Sequence, residues 1–542
     1  MAQASGGWDA VVIGSGMGGL AAAALLARLH GRRVLVLERH WRAGGFTHTF
    51  ERPGGFRWDV GLHYVGGMLE PGMPRDAMAV VTGGTVRWNP MPEGFDRLVF
   101  PGFEFTYRAG ARNQRDDLVA AFPAERKAID RWFSDVRKVQ AVMALPILRS
   151  AAPRPVAAAV GWLLAGRERL ALQTTGDWLA AHVRDPRLRA VLGARWGDHG
   201  LPPGQGAFLM QAVIAQHYLE GAAYPEGSAA SLADGARRVI EAAGGEVRVR
   251  AEVARILVEG GRAVGVRLAA GEEVRAPVVI SDAGARNTFL RLLGDEVPIP
   301  FRETLRAFPP SMAAVTLYLG LSRSPAELGV RGENFWLHQG LDHDAAWADR
   351  SGVLEGRVPQ CYLSFPSMKD PAARAHTAEL ITSVDGAAFA RWAGSAWKRR
   401  GAEYEAQKAR IAEALLAAAE ARLPGLRGLV VHQELSTPLS SEGFTAHPGG
   451  EILRAAGHAG AVPAALAPAA HARARALPDR RGCRRVGDRG RAHGRRGLHR
   501  RGRRRADLPG HQRRGAPAPG LVRHPGGDLD FRRLRARLDE RS

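Results

Sequence analysis

The segment GSGMGG, Gly14 to Gly19, lies between an apolar run, Ala10 to Ile13, and an Ala/Leu-rich stretch, Leu20 to Leu29. The order reads as buried strand, glycine turn and helix, which few folds accommodate. Gly14 permits the tight turn, Gly16 lets backbone approach a pyrophosphate, and Gly19 lets helix and strand pack closely. The helix N-terminus offers unpaired N–H donors and the positive end of the peptide dipoles to an anion. A second strand, Arg33 to Leu37, ends in Glu38, placed to accept hydrogen bonds from ribose hydroxyls. An acid there favours an unphosphorylated ribose. These elements, in register, predict a dinucleotide-binding α/β domain.

The stretch RAGGFTHTF, Arg42 to Phe50, adds a second glycine pair, where backbone again has to pass close to a ligand. Through DAVVIGSGMGG, VLVLERHWRAGGFTHTFE and FRWDVGLHYVGG the chain resembles the FAD-binding N-terminus of the phytoene desaturase and carotenoid isomerase superfamily. GLHYVGG points to its retinol saturase branch. Further similar stretches, Arg195 to Val247, Ser364 to Pro371 and Trp397 to Lys408, extend the resemblance over most of residues 8–452. It implies FAD as cofactor, with Gly14, Ser15, Gly16, Met17, Gly18 and Gly19 around the pyrophosphate, Glu38 at the ribose, and Gly44 and Gly45 along the flavin. Arg39 is counted with the cofactor-binding candidates. In related flavoproteins the backbone at the position of Val253 meets the adenine, and VVISDAG, Val278 to Gly284, returns the chain to the FAD domain.

The expected architecture is a Rossmann-type FAD-binding domain interleaved with an α+β substrate domain. The FAD domain takes residues 1–70, 225–300 and a truncated 431–452. The substrate domain takes 71–224 and 301–430, and an aberrant tail spans 453–542. Locally, Arg237 to Ala243 reads as a helix closed by Gly244 and Gly245. Strands are expected at Glu246 to Arg250 and Val264 to Leu268, with a turn at Gly260 and Gly261.

A flavin exchanges hydride through its N5 atom, so the protein chiefly positions a carbon–carbon bond and excludes water. His63 and Tyr64 are the catalytic candidates, as groups able to donate a proton beside hydride transfer or to pack beneath the cofactor. His199 and His217 share that ambiguity. No His/Cys/carboxylate cluster has metal-ligand spacing, so no metal is expected. The resemblance implies an oxidoreductase acting on a double bond of an isoprenoid polyene, a retinoid or a carotenoid. Carotenoid desaturation or cis–trans isomerisation is the nearest alternative. Residues 140–170 mix apolar faces with arginines but never reach the ~18 apolar residues of a spanning helix. They read either as an interfacial entry helix at a membrane surface or as a helix pair packed on the core. With no signal peptide at the N-terminus and only two cysteines, the expected location is cytoplasmic, with peripheral attachment to the inner membrane face as a variant.

The formal net charge of +22 suggests a polyanion partner until it is located. From Leu453 to Ser542 there are 24 Arg, no Lys and 7 acidic residues, a net of +17, which leaves +5 for the preceding 452 residues. The tail holds one aromatic residue, Phe531. It reads as a solvated, disordered segment rather than a nucleic-acid arm with stacking rings. A polyanion-binding protein is therefore the alternative from a different class. The family resemblance stops at Ile452. Back-translation with GC-rich codons, less one nucleotide at Leu453, allows a segment containing YLTGAD and GALMGG, the C-terminal pattern that the resemblance implies. A shifted reading frame thus accounts for the arginines, and this polypeptide is expected to hold FAD poorly. Expression of both frames should show more flavin absorbance in the repaired one; equal flavin content would refute the expectation.

Overall fold

A computed structural model describes residues 7–144, 153–309 and 311–453. The Arg-rich segment from residue 454 onward and residues 145–152 of the apolar-and-arginine stretch lie outside the described residues. The glycine turn joins β1 (Ala10–Ile13) to α1 (Met17–His30), and β2 (Val34–Leu37) follows. The helix begins earlier than its apolar stretch suggests, because Gly18 and Gly19 form its first turn.

All eight residues of β1 and β2 are buried, the signature of a parallel sheet covered on both faces. Alternation decides what each face meets. Ala10, Val12, Val34 and Val36 pack with α1 and the helix Ala230–Ala242. Val11, Ile13, Leu35 and Leu37 pack with Val253, Ile256, Val266 and Leu268 of an antiparallel three-stranded sheet. The parallel sheet runs Glu246–Arg248, β2, β1, Val279–Ser281. Among the described residues Val279–Ser281 is an edge strand, and Val278 just before it is exposed.

Two local expectations shift. The expected helix Arg237 to Ala243 spans Ala230–Ala242, because Gly235 does not break it. A Cβ on Gly235 would lie 2.8 Å from the Thr82 Cβ, so the glycine seats this helix against Met73–Thr82. The strand expected to reach Arg250 stops at Arg248, since Arg250 takes a φ of 54° and its N–H turns to the His40 carbonyl.

A second, seven-stranded sheet runs Val430–Ser436, Ala313–Leu321, His376–Val384, Gln360–Ser364, Asn334–His338, Gly94–Phe100, Phe103–Arg108. Its only parallel pair is Asn334–His338 with Gly94–Phe100. One face is covered by the helix Ala402–Arg422 through Ile411, Leu415 and Leu416. Toward its other edge, helices that include Arg126–Gln140 and Phe208–His217 bury a core around Trp132, Trp178 and Phe208. The hairpin Thr49–Arg52/Phe56–Asp59 leads from the first sheet to the second, where the Trp58 indole donates to the Leu319 carbonyl at 3.0 Å. The chain thus passes between the two sheets several times. The C-terminal ends of β1 and β2 open toward the junction, where open α/β sheets bind ligands.

Candidate functional site

The first glycine turn is closed by a side chain from β2's far end. Glu38 Oε2 accepts from the Ser15 N–H at 2.9 Å and the Ser15 hydroxyl at 2.7 Å, while Oε1 accepts the His40 N–H at 2.8 Å. Gly14 takes a φ of +92°, a conformation that favours glycine. A Cβ on Gly19 would collide with the Gly14 carbonyl, so only glycine lets α1 sit this close to β1. α1 has no side-chain N-cap of its own at Gly16. Instead the Asp282 carboxylate packs against its first turn, where a Cβ on Gly16 or Gly18 would lie 2.5 or 2.9 Å from an Asp282 carboxylate oxygen. That corner accepts negative charge, as a helix N-terminus should.

The second glycine turn lies on the first. The Gly44 N–H reaches the Ser15 carbonyl and hydroxyl, both at 3.1 Å, and a Cβ on Gly45 would lie 3.0 Å from the Gly16 Cα. Together they border a cavity of about 740 Å³, within the size range of cofactor sites. Of the residues singled out from sequence, Gly14, Gly16, Met17, Gly18, Glu38, Arg39, Gly44, Gly45 and Val253 line it. Ser15 and Gly19 are buried behind the lining and shape it. Arg39, Arg42 and Arg291 supply positive charge along the walls. His48, whose Nδ1 lies 2.5 Å from the Gly45 carbonyl, is held down at about 4 by burial and stays neutral at physiological pH. The site therefore fits a dinucleotide: a glycine cradle at a helix N-terminus, an acid at the second strand end, and guanidinium groups to offset phosphate.

His63 and Tyr64 do not line this cavity. They lie beyond Gly61, where a Cβ would be 3.0 Å from the Cβ of the cavity residue Phe46. His63 Nδ1 stands 2.7 Å from Glu379 Oε2. The buried Tyr64 hydroxyl donates to Asp96 at 3.2 Å, and its ring stacks on Tyr218 with centroids 4.4 Å apart. Burial pushes its phenol well up, so Tyr64 keeps its proton. His199 bonds Gln211 at 2.9 Å, and His217 Nε2 accepts the Gly66 N–H at 2.8 Å; both rings are held by structural partners.

The sequence reading missed Asp59, Asp96, Arg195, Lys369 and Glu379, all buried around His63 and Tyr64, and the partly exposed Asp198. A signal was present for Lys369. The chain uses five Lys against 71 Arg, so a lysine inside SFPSMKDP marks a place where a compact ammonium differs from a guanidinium fork.

Residues 12–72 match the model of an NAD(P)-binding Rossmann-like domain. Over 471 residues the chain is 33% identical to the all-trans-retinol 13,14-reductase of Danio rerio, covering 82% of this chain and 77% of that protein. It is 26% identical over 463 residues to the chloroplastic prolycopene isomerase of Daucus carota, covering 82% and 71%. Cyclohexylamine oxidase from Brevibacterium oxydans shares the fold with a TM-score of 0.53 at 17% identity, over 81% of this chain and 86% of that one.

Replacing Gly16 with Val should weaken dinucleotide binding at least about tenfold, since its Cβ would press on the Asp282 carboxylate at the helix N-terminus where the phosphate approaches. Calorimetric titration with FAD measures this; unchanged affinity would place the binding site elsewhere.

Proposed function

The chain belongs to the all-trans-retinol 13,14-reductase family, in the retinol saturase branch of the phytoene desaturase and carotenoid isomerase superfamily, and from that premise we propose that it binds FAD between its two glycine turns and transfers hydrogen across a carbon–carbon double bond of an isoprenoid polyene. The observation that carries the reading is the cavity itself, with His63 just beyond the Phe46–Gly61 contact on one of its walls. FAD, when bound, supplies or accepts the hydride through its N5 atom. The chain's own residues do the rest. The N-terminal N–H groups of α1 hold the pyrophosphate, and the arginines along the walls offset its charge. Glu38 keeps carboxylate lone pairs for the ribose beyond those it gives to Ser15 and His40. Gly44 and Gly45 leave room along the ring system. His63 carries the proton that accompanies the hydride, and Tyr64 fixes the floor beneath it.

A lipid-soluble substrate needs a route from a membrane. The helix Arg154–Leu172 exposes Trp162 (82%) and Leu163 (71%), with Val156 also exposed. We read this as a face that rests on the cytoplasmic surface of a membrane. Among the described residues no helix is long and apolar enough to cross one. Among the described residues Val279–Ser281 is an edge strand, and in the shifted-frame reading the YLTGAD strand would pair there.

The test reconstitutes the protein with FAD, in both reading frames, and supplies retinoids and carotenoids in anionic vesicles or in detergent. A product differing from substrate by one pair of hydrogens is expected. The pair of changes Trp162→Asp and Leu163→Asp should lower conversion of vesicle-borne substrate about tenfold and spare detergent-borne substrate. No product from any polyene would overturn the enzymatic reading. An isomer of unchanged mass would assign the isomerase alternative, and equal losses in both media would remove the membrane face.

A further inference from the structure

Seven ionisable side chains meet behind the cavity wall, between the end of the Phe56–Asp59 hairpin strand and the inner strands of the seven-stranded sheet. Two are fixed cations. Lys369 Nζ donates to the His63 carbonyl at 3.0 Å, Ser364 Oγ at 2.7 Å and Asn334 Oδ1 at 2.5 Å, which uses all three of its protons. Arg195 donates to Asp96 at 3.0 Å. Four are carboxyls: Asp59, Asp96 and Glu379, which are buried, and Asp198, which is partly exposed. An interior with two cations does not sustain four carboxylates, because each uncompensated charge loses its hydration. Two protons are therefore retained. Burial and a neighbouring carboxylate push both Asp59 and Asp198 up to about 7, which identifies where they sit. Lys369 is lowered by burial, but only to about 8, because Glu379, Asp96 and Asp59 support its charge.

The seventh group is His63, which is partly exposed, as Asp198 is. Glu379 is fully buried, whereas the His63 side chain retains 13% of its surface. Glu379 Oε1 accepts the Asp59 N–H at 2.9 Å, and Oε2 lies 2.7 Å from His63 Nδ1, an ion-pair contact in which neither atom completes a directed hydrogen bond. Around the ring stand Glu379 from the strand His376–Val384, Lys369 from the short helix before it, Tyr362 with its centroid 5.5 Å away, and Asp59 from the hairpin. No protein group takes His63 Nε2 among the described residues.

We propose that Glu379 is the positioning residue for His63: its carboxylate holds Nδ1–H and leaves Nε2 as the atom that exchanges a proton with substrate, while Lys369 pins the His63 main chain. The inference deepens the polyene reading and rests on it for the chemical step. In saturation, one carbon of the double bond receives hydride from reduced flavin, and the π electron pair takes the proton from Nε2 at the other carbon. The imidazole is left neutral, with Nδ1–H still against Glu379, and water returns the proton. Desaturation runs the same transfers backwards, with Nε2 as base. Glu379 acts as the carboxylate of a His–carboxylate pair does, fixing tautomer and ring plane and favouring the charged imidazole.

The test separates this inference from the functional reading because its main readout needs neither flavin nor substrate. Histidine-labelled protein is titrated by NMR, with His63 assigned through His63→Gln. Glu379→Gln should lower the proton affinity of His63 at least tenfold, and Glu379→Asp should recover much of it. A second arm guards against misfolding of Glu379→Gln. In the parent protein the His63 signal should show an added inflection near pH 7 as Asp59 ionises, and Asp59→Asn should abolish it. With FAD and polyene, the pH limb of kcat should move with the NMR value in each variant. His63 titrating identically in the folded parent and Glu379→Gln, or no added inflection that responds to Asp59→Asn, would overturn the proposal even if polyene turnover is found. NMR shifts as expected with no turnover would leave the pairing standing and refute the functional reading alone.

Discussion

The close approach of α1 to β1, which only the absence of a side chain at Gly19 allows, sets the geometry on which the site depends. It places the helix N-terminus at the end of the parallel sheet, next to the carboxyl-terminal end of β2. Glu38 then reaches back to Ser15, and the second glycine turn can lie on the first. The result is a polar corner in which the Glu38 carboxylate and the Ser15 hydroxyl tie together three main-chain N–H groups. Burial of β1 and β2 on both faces holds that corner rigid, so cofactor specificity sits on the least deformable part of the fold.

The second half of the site has a different origin. Asp59, Lys369 and Glu379 come from a hairpin, a one-turn helix and a central strand, brought together by the seven-stranded sheet. Their proximity is costly in isolation, since each is buried and ionisable. It becomes tolerable because two cations and two retained protons balance the charge, although Arg195 Nη2, His63 Nδ1 and Glu379 Oε2 have no hydrogen-bond partner among the described residues. A purely apolar packing of the same volume would be simpler. The charge cluster is therefore best understood as fixing the position of the His63 ring and main chain.

These two halves differ in how legible they were in the chain. The turn Gly14–Gly19, Glu38 and the Gly44–Gly45 pair announce themselves because strand, turn and helix are contiguous, and the glycine spacing has few other uses. The two-sided burial of β1 also follows from its unbroken apolar run. Helix boundaries were less readable. Gly235 looks like a breaker, yet its role is to admit the neighbouring Thr82. Lys369 and Glu379 were missed because their partners lie across the sheet or some 300 residues away in the chain, and no local pattern links HTAELITSV to GLHYVGG. Two signs pointed at them: a carboxylate in the middle of a central strand, and a lysine in a chain that nearly always writes its positive charge as arginine.

The central claim is that the two stacked glycine turns form an FAD site whose flavin end runs toward His63. A crystal structure of the protein crystallised with FAD tests it most directly. The account predicts pyrophosphate oxygens within hydrogen-bond reach of the N–H groups at the start of α1, the ribose at Glu38, and the ring system running along Gly44 and Gly45 toward the Phe46 wall, behind which Gly61 and His63 lie. FAD lodged elsewhere, or a flavin ring turned away from that wall, would contradict it.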